Sequence, residues 1–307
     1  GINQLNKSAN EREQNVNEAE KIMQSLGVID LLITGHQHQT FIGRDDQTLY
    51  VQAGQNAEQL VHVKINFKQR TTSYELEDVE SQIVDLNEYK EDEDLLNLTF
   101  YDRKTVEHWG KEVLNVTPVS AQVNGLGDVI TKPHPFTQLL HDGIRSEFDY
   151  DISCVHLPTS GEEGLEATIT NEALYKAYPH PDVPVDLTLK GQQIKDILEY
   201  GYSHIEFSHG ELSLTIIDET LCTFWQGVDY TIDMNAAPFN RVNLKNIRLN
   251  HMYRVSMTDY CYRNYRQYLE NAVIHETGKI TMVELISRNL KNEQYKINQK
   301  QSFNVIT

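Results

Sequence analysis

The period of the hydrophobic positions switches repeatedly along this chain, and each switch predicts an element. Val16, Ala19, Ile22, Met23 and Leu26 fall on one helical face, with Asn15 and Glu18 spaced as a capping pair and Gly27 as a stop. The branched run Val28-Ile29-Asp30-Leu31-Leu32-Ile33 is too short for a lone helix and reads as a buried strand. Tyr50-Val51-Gln52 reads as a short strand closed by Ala53-Gly54. Val61, Val63, Ile65 and Phe67 alternate with polar residues, which is strand periodicity, and a hairpin partner is expected from about Ser73. Leu95, Leu98, Val106 and Trp109 mark a helix predicted from Leu95 to Gly110, and residues 117–131 read as strand and turn. Phe136, Leu139, Leu140 and Ile144 give a helix over 135–145, followed by a strand over 150–155. Val185, Leu187 and Leu189 alternate, Gly191 breaks the pattern, and Ile194, Ile197 and Leu198 form a helical stripe.

Composition sharpens this picture. A chain of 307 residues with 39% hydrophobic and 23% charged residues fits a soluble globular protein of more than one domain. From Glu75 to Asp94 ten acids face a single Lys90. They show no ligand spacing and read as a solvated linker face, so a domain boundary is placed there. The net charge of −18 argues against grip on a nucleic-acid polymer, which needs clustered cations, but not against a mononucleotide. No run of 18 apolar residues is present, so no membrane-spanning segment is expected. No signal peptide is expected in the residues at hand, but this says little about targeting, because the sequence starts with Gly1 and not Met, as at a tag remnant or cut site. Cys154, Cys222 and Cys261 are odd in number and widely spaced, which leans towards a reducing compartment.

The first candidate for chemistry is Gly35-His36-Gln37-His38. Residues two apart in an extended segment point to the same side, so both imidazoles would leave the end of the buried strand together, roughly 6–7 Å apart. Two metals bridged about 3.5–4 Å apart could each take one of them. The alternative is a surface or hydrogen-bonded pair. The other ten histidines are scattered and form no compensating cluster.

These residues carry a resemblance. Gly-His-Gln-His after Ile29-Asp30-Leu31-Leu32-Ile33-Thr34 resembles the last metal-binding motif of the calcineurin-like metallophosphoesterases. The downstream chain resembles the 5′-nucleotidase carboxyl-terminal domain of one branch of that family. The matching stretches are Ile169–Tyr175, the strand, glycine turn and helix of Asp186–Glu199, Gly227–Asp233, and the strand Tyr253–Tyr260. Bacterial 5′-nucleotidases and 2′,3′-cyclic-nucleotide 2′-phosphodiesterase/3′-nucleotidases are similar in these motifs.

The resemblance implies an α+β fold. Residues 1–86 would be the carboxyl-terminal remnant of an αββα metallophosphoesterase sandwich, 87–94 an acidic linker, and 95–307 the α+β substrate-binding domain. It implies the carboxyl-terminal portion of a metal-dependent nucleotide phosphohydrolase, with two divalent metal ions (Zn, Mn or similar) in the full-length protein and His36 and His38 as their last two ligands. The family's Asp-x-His and Gly-Asn-His motifs do not occur in this chain. A missing amino-terminal catalytic half is therefore expected as a partner, and the chain alone is expected to be inactive. For the nucleoside, the resemblance implies His180 and Tyr260 as stacking rings and Asp182 at the base edge. The loop 155–164 lacks the family's phosphate-binding Arg and carries Glu162 and Glu163 instead. Arg263 and Arg266 read as phosphate contacts or as surface ion pairs, and the tyrosines at 253, 260, 262, 265 and 268 as a stacking surface or as packing. Two alternatives stand beside the enzyme part: a nucleoside-binding module without chemistry, and a degenerate domain that mediates assembly.

Overall fold

A computed structural model of the chain describes residues 19, 22–23, 29–35, 38–45, 48–159, 164–208, 211–214 and 222–306. The chain divides into two compact units, Gly1–Phe100 and Tyr101–Thr307. Most of the amino-terminal helix predicted over 15–26 lies outside the described residues; residues 19, 22 and 23 are helical.

In the first unit β1 (Leu31–Thr34), β2 (Phe41–Asp45) and β3 (Thr48–Gln52) form a sheet of order β1-β3-β2, with β1 parallel and β2 antiparallel to β3. The Thr34 hydroxyl lies 3.0 Å from Gln52 Oε1, and Gln52 Nε2 donates to the Gln39 carbonyl at 2.9 Å. This relay ties the end of β1 to the loop beyond His38. β4 (Gln59–Gln69) and β5 (Tyr74–Asp85) make a long antiparallel hairpin, as the alternation at 61–67 predicts. The predicted helix over 95–110 is instead two: α1 (Glu93–Leu98) and α2 (Phe100–Lys111). Asp92 caps α1 by accepting from Leu95 N at 3.0 Å. The Thr99 hydroxyl donates to the Leu95 carbonyl at 2.8 Å, and the helix stops there.

The second unit is built on a five-stranded mixed sheet. In chain order its minor elements open with β6 (Val113–Val116), β7 (Ala121–Gln122) and α3 (Leu126–Ile130). Next come α4 (Pro135–Glu147) and β8 (Ile152–His156), then β9 (Gly164–Leu165), β10 (Thr168–Thr170) and α5 (Asn171–Ala177). β11 (Pro184–Lys190), α6 (Gly191–Ser203), β12 (Ile205–Ser208) and β13 (Glu211–Leu214) follow. β14 (Thr223–Gln226), β15 (Asp229–Asp233), β16 (Val242–Leu244), β17 (Met252–Thr258) and α7 (Asp259–Asn264) lead to β18 (Val273–Thr277), α8 (Met282–Leu290) and β19 (Ser302–Ile306). The main sheet has order β14-β8-β17-β11-β18 and is antiparallel except for the parallel pair β8–β17.

α4 begins with Pro135 at a position where a missing N–H costs nothing, and His134 Nδ1 accepts from Phe136 N at 3.1 Å as its cap. Its apolar face packs on β8 and on α8. Gly143 permits that approach, because a Cβ there would lie 2.6 Å from Ile286 Cγ1. α6 starts at Gly191, where the alternation ends, and buries Ile194, Ile197 and Leu198 as its stripe predicts. Together with Phe224, Trp225, Val255 and Met257 these residues belong to one continuous core.

Candidate functional site

The loop after α5, the end of β8 and the start of α7 meet around one imidazole. Every residue of β8 is buried, and His156 closes it as the polar residue after Ile152–Val155. Parallel pairing sets Cys154 opposite Met257, which brings the strand ends together. His156 Nδ1 lies 3.1 Å from Thr258 Oγ1, and its Nε2 lies 3.6 Å from Asp182 Oδ2. The same Thr258 hydroxyl caps α7 by accepting from Cys261 N at 3.2 Å. The strand therefore ends at Thr258, and Tyr260 sits in the first turn of a helix rather than on the strand that its surroundings resemble. Its ring stacks on the His156 imidazole, with centroids 4.2 Å apart and planes inclined by 21°.

Asp182 is buried. Its Oδ2 accepts from the Tyr178 hydroxyl at 3.1 Å, and Arg263 Nη2 lies 3.9 Å from its Oδ1. Burial and the negative charge of Asp182 push the Tyr178 phenol well above its ordinary range, so it remains a donor. Asp259 fixes the intervening loop: its Oδ1 accepts from Val183 N, and its own N–H donates to the Val183 carbonyl, both at 2.9 Å. Behind the imidazole, His156 Nδ1 is 3.6 Å from Cys261 Sγ. Burial works to raise the Cys261 thiol, but the hydrogen bond from Cys154 and the His156 ring outweigh it and lower it. Burial and the neighbouring Cys261 push the Cys154 thiol well up.

The expected site residues thus fall into three groups. Asp182 and Tyr260 come together through His156. His180 is exposed in the turn Pro179-His180-Pro181 between the buried Tyr178 and Asp182. His38 is exposed with φ of 55°, and His36 lies outside the described residues. Among the described residues no group of three or more His, Cys, Asp or Glu side chains could hold a metal ion. The described part of this chain therefore does not by itself fit a metal centre, which takes several ligands around each ion. Glu162 and Glu163 also lie outside the described residues.

Arg263 lies 3.2 Å from Asp259 Oδ2, an exposed ion pair flanking the cluster. Tyr265 is buried and packs with Tyr200 and Tyr268, with centroids 5.9 and 5.3 Å from Tyr200, so this part of the tyrosine run is core. The sequence reading singled out neither His156 nor Thr258. The available signal is an imidazole directly after the strand predicted over 150–155 and two residues before Pro158.

The fold is the α+β one of the carboxyl-terminal domain of 5′-nucleotidase-type phosphohydrolases. The model of the family "5'-nucleotidase, C-terminal domain" matches residues 116–269, and the chain belongs to that family. No curated protein matches the chain. Among solved structures, a "putative 5'-nucleotidase" from Staphylococcus aureus in complex with α-ketoglutarate shares 23% identity at a TM-score of 0.74, over 94% of this chain and 59% of that one. A 5′-nucleotidase precursor from Thermus thermophilus shares 16% at a TM-score of 0.53, over 90% and 57%. The NAD nucleotidase of Haemophilus influenzae shares 13% at 0.50, over 94% and 65%. These likenesses concern the fold, and the chain spans roughly three fifths of the length of the structures it matches.

Proposed function

We propose that this chain is the carboxyl-terminal part of a metal-dependent nucleotide phosphohydrolase, of the 5′-nucleotidase or 2′,3′-cyclic-nucleotide phosphodiesterase type, and that its work there is nucleoside recognition. The observation that carries this reading is the Tyr260 ring, backed by an imidazole beside the buried Asp182 carboxylate, inside the region that matches the family. A nucleobase stacks on the face of Tyr260 turned away from His156. His180, pinned between two prolines, supplies the second ring, and the Asp182 carboxylate faces the base edge.

His36 and His38 are this chain's contribution to a pair of divalent ions whose remaining ligands come from another stretch of polypeptide. Such ions would supply an activated water and neutralise charge on the phosphoryl oxygens. Support for that reading is the Gly35-His36-Gln37-His38 motif directly after β1. The chain alone should hydrolyse AMP at no more than background rate with Mn²⁺ or Zn²⁺ supplied, and adding the amino-terminal half should restore turnover. Failure of complementation, with both parts folded, counts against the reading.

A second reading, a nucleoside-binding module without chemistry, is favoured by the missing Arg and the two acids in the loop 155–164. Calorimetry with adenosine, AMP and 2′,3′-cyclic AMP separates the two, because a nucleoside-only binder gains nothing from the phosphate.

A further inference from the structure

The buried cluster behind Tyr260 does more than fill space. His156 touches both halves of the nucleoside site: its ring face lies against Tyr260, and its Nε2 edge faces Asp182. Its orientation is set by hydrogen bonds on fixed elements. Thr258 Oγ1, which accepts from Cys261 N, lies 3.1 Å from His156 Nδ1. On its other edge the ring's Nε2 lies 3.6 Å from Asp182 Oδ2, which accepts from Tyr178. Each partner is anchored elsewhere. Thr258 ends a central strand, Tyr178 closes α5, and the Asp182 carbonyl accepts from Met282 N at 2.8 Å at the start of α8.

We propose that His156 is a positioning residue for nucleosides: its imidazole is the fixed plate that holds the Tyr260 ring parallel to an incoming base and couples that ring to the Asp182 carboxylate. The inference rests on the nucleoside reading given above. An aromatic ring on a surface helix turn samples several rotamers, and each ordered rotamer costs free energy on binding. A ring already stacked on a buried partner has met that cost during folding. His156 therefore acts through Tyr260 and not by touching the ligand.

A double-mutant cycle reads this directly. Adenosine affinity is measured by calorimetry for the unmodified chain, His156→Asn, Tyr260→Ala and the double variant, with thermal melting as the fold control. His156→Asn should weaken adenosine binding about tenfold, and the same change in the Tyr260→Ala background should alter it less than about twofold. Equal effects in both backgrounds, or no effect of His156→Asn on a chain that binds adenosine, overturn this inference and leave the nucleoside reading standing. Absence of adenosine binding by the unmodified chain overturns both. Should His156→Asn not fold, proton NMR of the unmodified chain decides. Adenosine should shift the His156 ring-proton and Tyr260 ring resonances together, and an unmoved His156 signal at saturation overturns the proposal.

Discussion

The two units of the molecule hold together by different means. Among the described residues of Gly1–Phe100, the buried side chains are Leu49, Val51 and Gln52, and the long β4–β5 hairpin leaves Leu60, Ile65, Phe67 and Ile83 exposed. Tyr101–Thr307 buries a continuous core that runs through the five-stranded sheet, α4, α6 and α8. A hairpin without a covered face is marginal in water, whereas a sheet buried under helices is not. The difference teaches where a site can be held to a fraction of an ångström. The imidazole, carboxylate and ring of the proposed nucleoside site all stand on elements of the second unit.

Substitutions graded by size test this contrast. The largest effect belongs to the core: Trp225→Ala or Phe224→Ala, both fully buried, should cost about 3–5 kcal/mol. Denaturant melts would read that as loss of the main transition, while Ile65→Ala in the hairpin should leave the transition in place. Comparable losses from both would erase the distinction. Next is Glu199, a buried carboxylate on α6 that accepts from Arg241 N at 2.9 Å and Val242 N at 3.0 Å. Glu199→Ala leaves two buried donors unmet and should cost about 2–4 kcal/mol.

Absent at neutral pH, and growing only as the pH falls, is the effect of His141. Gln301 Nε2 donates to its Nε2 at 3.0 Å and its Nδ1 meets Ser153 Oγ at 2.8 Å, so the ring is buried neutral. Burial, helped by the Arg145 charge, lowers it from an ordinary 6.5 to about 3. The unfolded chain therefore binds the extra proton first as the pH falls. Stability should be fully present above pH 6.5 and decline by about 1.4 kcal/mol per unit between pH 6.5 and 3. His141→Gln should remove one proton's worth of that slope in pH-dependent melts; an unchanged slope contradicts the burial argument. The smallest effect is Thr170→Ala, which deletes the cap on Ala173 N that starts α5 and should cost about 1 kcal/mol.

Much of the second unit is legible in the chain, because its elements switch period sharply. Val185 to Leu189 alternate and Gly191 ends the alternation, and the structure has a strand to Lys190 and a helix from Gly191. What a period cannot show is a side chain that competes with the backbone. Thr99, the cap that divides the helix predicted over 95–110 into two, leaves no mark on the apolar period. Thr258 turns a β-rich stretch into a helix start, although Asp259 in the following turn is a cap signal that could have been read. The site is legible only in part for the same kind of reason. Asp182 and Tyr260 stand out by resemblance, whereas His156 gains its meaning from Thr258, far away in sequence, through a parallel strand pairing that no local pattern encodes.

The central claim is that this chain recognises the nucleoside through Tyr260. Calorimetric titration of adenosine into the unmodified chain and into Tyr260→Ala tests it most directly. Loss of one stacked ring should weaken a saturable binding isotherm by about 1–3 kcal/mol in a chain that still melts cooperatively. A folded chain that binds no nucleoside, or one whose affinity survives Tyr260→Ala intact, would contradict it.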